Sequence, residues 1–469
     1  MYFGIGNGIH QRDLDNVEKN DGYAYYEKHI VSKNLGCRAW GGNLGSGVAL
    51  KLFDPKIIKE YTKVQEKYYR KAKIYDLIRI LGSKGLVFSE GALWKRHRKV
   101  VSSAFHFEFL KEMIPHMVEA TMDYFKQLQK KNLTNIRNDF EYISGDVVGK
   151  VFFGEEFSQL QIDGMPLSLF LKELTMEAWG VTFSWPNLVL GSKFVKAKIM
   201  PRHRELLKQS YKFADFCFKK VQERRQAFLD NKRTDSKCLL DLLVRNNIEN
   251  PEEGFDIEEI VHEFATFCIA GMDTTGHTLA MCSYYYLQNP QCKEKLLKEI
   301  DEYLSDSQSI TIDSVNKMEY MHAFIQETLR LGTPTFRTFL REALEDHKLD
   351  DITVKKGTFV CFSFFPNNYG EEYHDEPLKF DPKRWLDANS KTRQSIAKEA
   401  FTFIPFSAGS RNCIGQHLAL IETKIVFGLF LKHFEYHLNP GYKLRMTIRF
   451  LYEPEMDIVY SIQKKSQKK

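Results

Sequence analysis

Ten consecutive residues, Phe406-Ser407-Ala408-Gly409-Ser410-Arg411-Asn412-Cys413-Ile414-Gly415, stand directly ahead of an apolar helical run and limit what this chain can build. The sulfur of Cys413 can bind heme iron as a thiolate and push electron density toward an oxygen bound on the opposite side. Backbone must then come close to that sulfur. Gly409 and Gly415 carry no Cβ, which predicts a tight turn, and the first amides of the following helix would stabilise the sulfur's negative charge. Phe406 is expected to shield the iron–sulfur bond from water, and Arg411 to pair with a heme propionate. The bland alternative, an ordinary reduced cysteine, suits a lone Cys. It leaves the phenylalanine, the arginine and both glycines to coincidence.

The string resembles the Cys-loop of the cytochrome P450 superfamily, Phe-x-x-Gly-x-Arg-x-Cys-x-Gly, at all five specified positions. The resemblance implies heme b (iron protoporphyrin IX) with Cys413 as axial ligand and Phe406, Gly409, Arg411 and Gly415 around it. Three further constellations extend the likeness from Trp94 to Gly415.

The first is Ala270-Gly271-Met272-Asp273-Thr274-Thr275, inside an apolar run from Phe264 to Leu287. A run of about this length can span a membrane, but Asp273, the threonines and His277 fall near its middle, where lipid would penalise them most. A long helix buried in protein fits better. In the family this helix crosses the heme; Ala270 and Gly271 would border the cofactor, Gly271 leaving room for dioxygen, while Thr274 and Asp273 would deliver protons. Either residue alone is as well read as a helix side chain bonded to its own backbone.

The second is Glu327-Thr328-Leu329-Arg330, whose spacing puts both charges on one helix face. Such a pair is usually a solvated one. About fifty residues on, Phe380-Asp381-Pro382-Lys383-Arg384-Trp385 resembles the family segment whose arginine completes a buried Glu-Arg-Arg cluster. Glu327, Arg330 and Arg384 are therefore expected to lock the Cys413 loop in place. Lys383 stands where many members have Glu.

The third is Trp94-Lys95-Arg96-His97-Arg98-Lys99. Trp94 and Arg98, one helical turn apart, would reach a heme propionate in the family's manner. Lys95, Arg96, His97 and Lys99 predict a basic surface, either a solvated helix face or a docking patch for an acidic electron donor. Arg341, in Leu340-Arg341-Glu342-Ala343, resembles a further propionate contact, with Arg337 as its rival. Thr335, Phe336 and Phe339 would line the substrate pocket or the core.

The fold implied is mainly α with small peripheral β-sheets, the cytochrome P450 fold, in one domain spanning 1–469; no Gly/Ser-rich or Pro-rich linker divides the chain. Hydrophobic residues at 43% support a large core, and a net charge of +6 is too diffuse for a nucleic-acid partner. Eight cysteines without C-x-x-C spacing argue for a reducing compartment and against zinc or an iron–sulfur cluster. Strands are predicted at 47–52, 352–364 and 444–462, the last with Glu453-Pro454-Glu455 as a turn, and Asp54-Pro55 should open a helix. Helical periodicity covers 204–231 and 255–287. Gly154 to Arg204 and Ile74 to Leu93 carry no motif, although in the family they would decide substrate.

No apolar anchor opens the chain, and Gly4-Ile5-Gly6-Asn7 looks like the end of a hinge. The expectation is an enzyme on the cytoplasmic face of the endoplasmic reticulum membrane if an upstream anchor is missing, and a cytoplasmic one otherwise, with peripheral membrane contact through roof helices. The activity implied is a monooxygenase inserting one oxygen atom from O2 into a hydrophobic small molecule. Electrons would come from an NADPH-dependent flavoprotein reductase, with cytochrome b5 as a second donor, because the chain has no G-x-G-x-x-G after a strand. A hydroperoxide isomerase or dehydratase and a non-catalytic heme-binding protein are the alternatives. Asp273 and Thr274 count against both.

Overall fold

The computed structural model describes residues 38–465 apart from 45–46, 77–83, 185–186, 188–191, 198–199, 233–237 and 253. The Gly4–Asn7 fragment lies outside the described residues. Nine helices frame the site: α1 (Pro55–Tyr68), α2 (Gly91–Ser102), α3 (Phe107–Leu128), α4 (Ile136–Val148), α5 (Leu167–Thr182), α6 (Pro201–Leu229), α7 (Ile257–Gln288), α8 (Glu319–Leu331) and α9 (Gln416–His433). The strands used below are β1 (Ala39–Leu44), β2 (Gly47–Leu52), β3 (Tyr69–Lys71), β4 (Leu133–Asn135), β5 (Arg341–Ala343), β6 (Phe359–Phe362), β7 (Phe434–Leu438), β8 (Met446–Ile448), β9 (Tyr452–Pro454) and β10 (Val459–Lys464).

Local chemistry explains the helix starts. Asp54 caps α1, its carboxylate accepting from the amides of Lys56 (2.7 Å) and Ile57 (3.3 Å), with Pro55 supplying a pre-set φ where no amide is needed. At α7, Asp256 accepts from the Glu259 amide and the Glu259 carboxylate accepts from the Asp256 amide, a reciprocal capping box. Beyond that cap α7 is apolar nearly all round, which requires neighbours on every side. It has them in α4, α6, α8 and α9.

Glycine sets how closely α7 and α4 cross. A Cβ at Gly276 would lie 2.6 Å from the Glu141 Cα, and one at Gly271 would lie 2.5 Å from Val148 Cγ2. Opposite them Gly145 of α4 faces Met272. Backbones this close admit only the smallest residue. Among the described residues no helix is long and apolar enough to cross a membrane, which agrees with reading 264–287 as protein-buried.

The sheets lie at the margin of the helices. One runs β1-β2-β6-β5-β3, antiparallel except where β6 lies parallel to β2 with Phe359 opposite Ala49. A second runs β7-β10-β4, and β8 and β9 form a hairpin with Met446 opposite Pro454. That hairpin corrects the expected turn at Glu453-Pro454-Glu455. The chain reverses instead at 449–451, where the Arg449 amide donates to the Leu451 carbonyl (2.9 Å), and Pro454 closes a short strand where its missing N–H costs little. The strand expected at 352–364 is two, Ile352–Val354 and Phe359–Phe362, separated by a turn in which Gly357 takes a left-handed φ of 82°, whereas the other predicted bounds differ by a few residues, as frayed ends allow.

Candidate active site

The Cys-loop folds back on itself immediately before α9. The Cys413 amide donates to the Phe406 carbonyl (2.9 Å), and Ser407 (φ 63°) and Gly409 (φ 76°) take left-handed backbone. A Cβ at Gly409 would also press within 2.8 Å of the Thr62 Cβ on α1, so this glycine answers both torsion and space. Gly415 does not share that left-handed turn. Its φ of −83° suits any residue, and a Cβ there would meet Cys413 Sγ and Phe105 only at 3.8 Å. Cys413 is exposed, whereas Cys217, Cys238, Cys268, Cys282, Cys292 and Cys361 are buried. Surrounding protein still pushes its thiol pKa up, opposed by the Gly415 amide and the positive charge of Arg98. An accessible sulfur hemmed in by protein is the wall of a recess.

Cations gather beside it. Arg411, expected to reach a propionate, donates from Nε and Nη2 to the Glu66 carboxylate (2.7 and 3.0 Å) and from Nη1 to the Ser89 carbonyl (2.9 Å). Its guanidinium lies 3.9 Å from the centre of the Trp94 ring. Arg98 donates to the carbonyl and side-chain oxygens of Asn412 (2.9 and 2.8 Å). Trp94 and Arg98 thus both clasp the Cys-loop from α2. Arg341 is buried with Glu90 at 3.8 Å, and its charge bears on Glu66 and Arg411. Its rival Arg337 turns to the Tyr75 hydroxyl and the Thr338 carbonyl. Arg98 lies beside Cys413, while Arg411, Arg341 and Lys71 all bear on Glu66, a gathering of positive charge that suits an anionic cofactor.

The Glu327 cluster holds the next stretch. Glu327 Oε2 accepts from Arg330 Nε (2.8 Å), and Oε1 from Arg330 Nη2 (2.8 Å), Arg384 Nε (2.9 Å) and the Asp381 amide (2.8 Å). Trp385 Nε1 donates to Oε2 at 3.0 Å, a partner that the sequence pattern does not specify. Burial alone would raise the carboxyl pKa, but the two guanidinium groups hold it below its usual value. Arg330 also donates to the carbonyls of Asn368 (2.7 Å) and Pro377 (2.6 Å), and Arg384 to that of Asp375 (2.9 Å).

Across α7 the two sides differ. Ala270 is exposed and Thr274 half-buried in a helix whose other middle residues are mostly buried. Thr274 Oγ1 donates to the Ala270 carbonyl (3.0 Å), the self-bonded geometry expected of a helical threonine. The missing Cβ of Gly271 points at Val148, so its smallness serves the helix crossing. Asp273, by contrast, is buried, near a charge network that sequence reading missed. Arg137 lies 2.8 Å from Glu141 and also pairs with Glu453, and Lys172 of α5 donates to Glu141 (2.6 Å). Arg137 and Lys172 already balance Glu141 and Glu453. Burial and Glu141 consequently push the Asp273 carboxyl pKa up to about 7, against the pull of Arg137 and Lys172. These partners come from α4, α5 and β9, far apart in sequence, and no local motif marks them.

The expected basic surface on α2 is only partly there. Lys95 and Lys99 are exposed, but His97 is fully buried with Nδ1 2.7 Å from Glu263, and Arg96 pairs with Glu259 at the start of α7. A helical charge run alternates faces, so half of it turns inward.

The family model described as Cytochrome P450 matches residues 38–458. A Drosophila melanogaster protein named probable cytochrome P450 4aa1 is 29% identical over 378 residues, 79% of this chain and 71% of the relative. Human cytochrome P450 4X1 is 28% identical over 400 residues, covering 82% and 76%. Secologanin synthase 2 of Catharanthus roseus is 25% identical over 458 residues, covering 92% and 82%.

Proposed function

The chain belongs to the cytochrome P450 family, and from that premise we propose how its own residues serve the heme-thiolate monooxygenase chemistry of that family. The cofactor is heme b, and its electrons derive from NADPH through a reductase. When bound, the heme supplies the activation of dioxygen that places one oxygen atom in an apolar substrate. Cys413 would hold the heme iron through its sulfur, a role carried by the observation that its thiol alone among the described cysteines is exposed. Arg98 and the Gly415 amide favour its thiolate. Phe406 would shield that sulfur from water, and Gly409 sets the turn.

Trp94, Arg98, Arg341 and Arg411 form the propionate side, Arg411 through its brace to Glu66 and its stack on Trp94. Ala270 and Gly271 would border the bound heme, where Thr274 would position a proton that Asp273 supplies; a carboxyl with a pKa of about 7 both gives and takes protons near neutrality. That carboxyl favours a monooxygenase over a hydroperoxide isomerase or a heme carrier, neither of which needs a proton relay. Residues 1–469 act as one heme domain, with Glu327, Arg330 and Arg384 fixing its Cys-loop side.

The finer reading takes an NADPH-dependent flavoprotein reductase as donor and a hydrophobic small molecule as substrate. Residence at the endoplasmic reticulum membrane is the location taken in this proposal, and peripheral membrane contact is supported by the exposed Tyr211 and Phe218 on α6, apolar groups two turns apart among lysines. The deciding experiment is the carbon-monoxide difference spectrum of the dithionite-reduced protein. A strongly red-shifted Soret band in the wild type, lost in Cys413→Ala, is expected; a band typical of neutral ligation in the wild type overturns the assignment.

A further inference from the structure

The crossing of α7 on α4 leaves four buried polar atoms without a hydrogen-bond partner among the described residues. They are Asp273 Oδ1 and His277 Nδ1 on α7, and Arg137 Nε and Glu141 Oε1 on α4. The last two lie 2.8 Å apart, within ion-pair distance, but are too poorly aligned for a hydrogen bond. His277 is 0% exposed and Asp273 7%. Orphaned buried polar atoms are uncommon, and several together mark a place for an ordered water.

The helix brings Asp273 and His277 together. Positions i and i+4 lie one above the other, and both fall to the same side of Gly276, whose Cβ direction meets Glu141 of α4. Arg137 acts electrostatically on both. The other end of the imidazole settles its tautomer: Nε2 lies 3.0 Å from the Gly332 carbonyl, which can only accept, so Nε2 carries the hydrogen. Burial, then the Arg137 charge, hold the ring neutral. Its Nδ1 is therefore a bare lone pair that wants a donor.

We propose that His277 is a positioning residue for Asp273, its Nδ1 accepting from one buried water that in turn accepts the hydrogen of the protonated Asp273 carboxyl. Nothing is transferred to the imidazole; the ring holds the water, and the water holds the acid's proton in a fixed direction. The charged groups facing this pair are Arg137 and Glu141 from α4, Lys172 from α5, and Glu453 with its partner Arg449 from the β8–β9 hairpin. Because a hydrogen bond to the neutral form favours it, removing the acceptor should make Asp273 a stronger acid.

The catalytic meaning of this pair rests on the role proposed above for Asp273, but its test does not. Glutamine places an N–H where His277 has Nε2 and keeps the Gly332 bond while deleting the acceptor; asparagine keeps an acceptor near the Nδ1 position and loses the Gly332 bond. The carboxylic C=O stretch of Asp273, assigned by its disappearance in Asp273→Asn, would be titrated by infrared difference spectroscopy in the heme-loaded protein. The wild type should titrate near pH 7. His277→Gln should lower that midpoint, a change of about three- to tenfold in the ionisation constant, while His277→Asn leaves it in place. A midpoint unmoved by His277→Gln, or moved equally by His277→Asn, overturns the proposal and leaves His277 a strut for Gly332. So does the absence of an Asp273 band at every pH at which the protein stays folded. If His277→Gln shifts the midpoint while Asp273→Asn leaves NADPH-coupled turnover intact, the pairing stands and the catalytic reading of Asp273 falls.

Discussion

Two acidic residues show how environment sorts identical chemistry. Glu327 and Asp273 are both buried, yet the first is held below the usual carboxylate range by two guanidinium groups of its own and the second is pushed up to about 7 beside cations already balanced by Glu141 and Glu453. For Asp273 the folded-state pKa exceeds the ordinary 3.8, so the stability tied to its proton is full in acid and declines as pH rises toward about 7. Asp273→Asn should flatten that part of the stability profile, seen by thermal unfolding at a series of pH values, and should slow turnover with an enlarged solvent isotope effect. For Glu327 the prediction has the opposite character. Glu327→Ala strands Arg330 and Arg384 in the interior and should cost about 3–5 kcal/mol, measured by denaturant unfolding, with loss of bound heme. A variant that keeps wild-type stability would show that the cluster does not hold the fold.

At the scale of elements, the α7–α4 crossing is the contact that glycine makes possible. Gly276→Ala would drive a methyl into the Glu141 backbone at 2.6–2.8 Å, where no side-chain rotation relieves it. The expected cost is about 1–3 kcal/mol, read as a lowered unfolding midpoint. Gly415→Ala, with its nearest neighbours at 3.8 Å, should be far milder. The Cys-loop is likewise an assembly of elements: α1 supplies Thr62 and Glu66, α2 supplies Trp94 and Arg98, and the loop supplies Gly409 and Arg411. Its geometry is set by three segments that meet only in the fold.

At the scale of the whole molecule, the surface carrying Lys95 and Lys99 is the one to test for a part in electron supply. Lys95 and Lys99 remain exposed on α2, while Arg96 and His97 are tied to Glu259 and Glu263 of α7. Charge reversal at Lys95 and Lys99 should slow heme reduction by the flavoprotein several-fold at low salt, without changing substrate affinity, in stopped-flow measurements. Unaltered reduction kinetics would assign these lysines to a solvated face. The Cys-loop, the Glu327–Arg330 pair, the Asp54-Pro55 helix start and the long buried helix were legible in the sequence because each depends on residues close along the chain, where spacing alone fixes geometry. What belonged to tertiary structure was every pairing across distance: Arg411 with Glu66, Trp385 with Glu327, the inward turn of His97, the use of Gly271 against Val148, and the balanced charges beside which the Asp273 pKa rises to about 7. A carboxyl's burial and the charges facing it are set by which helices meet, and helices far apart in sequence announce their meeting only through the packing itself.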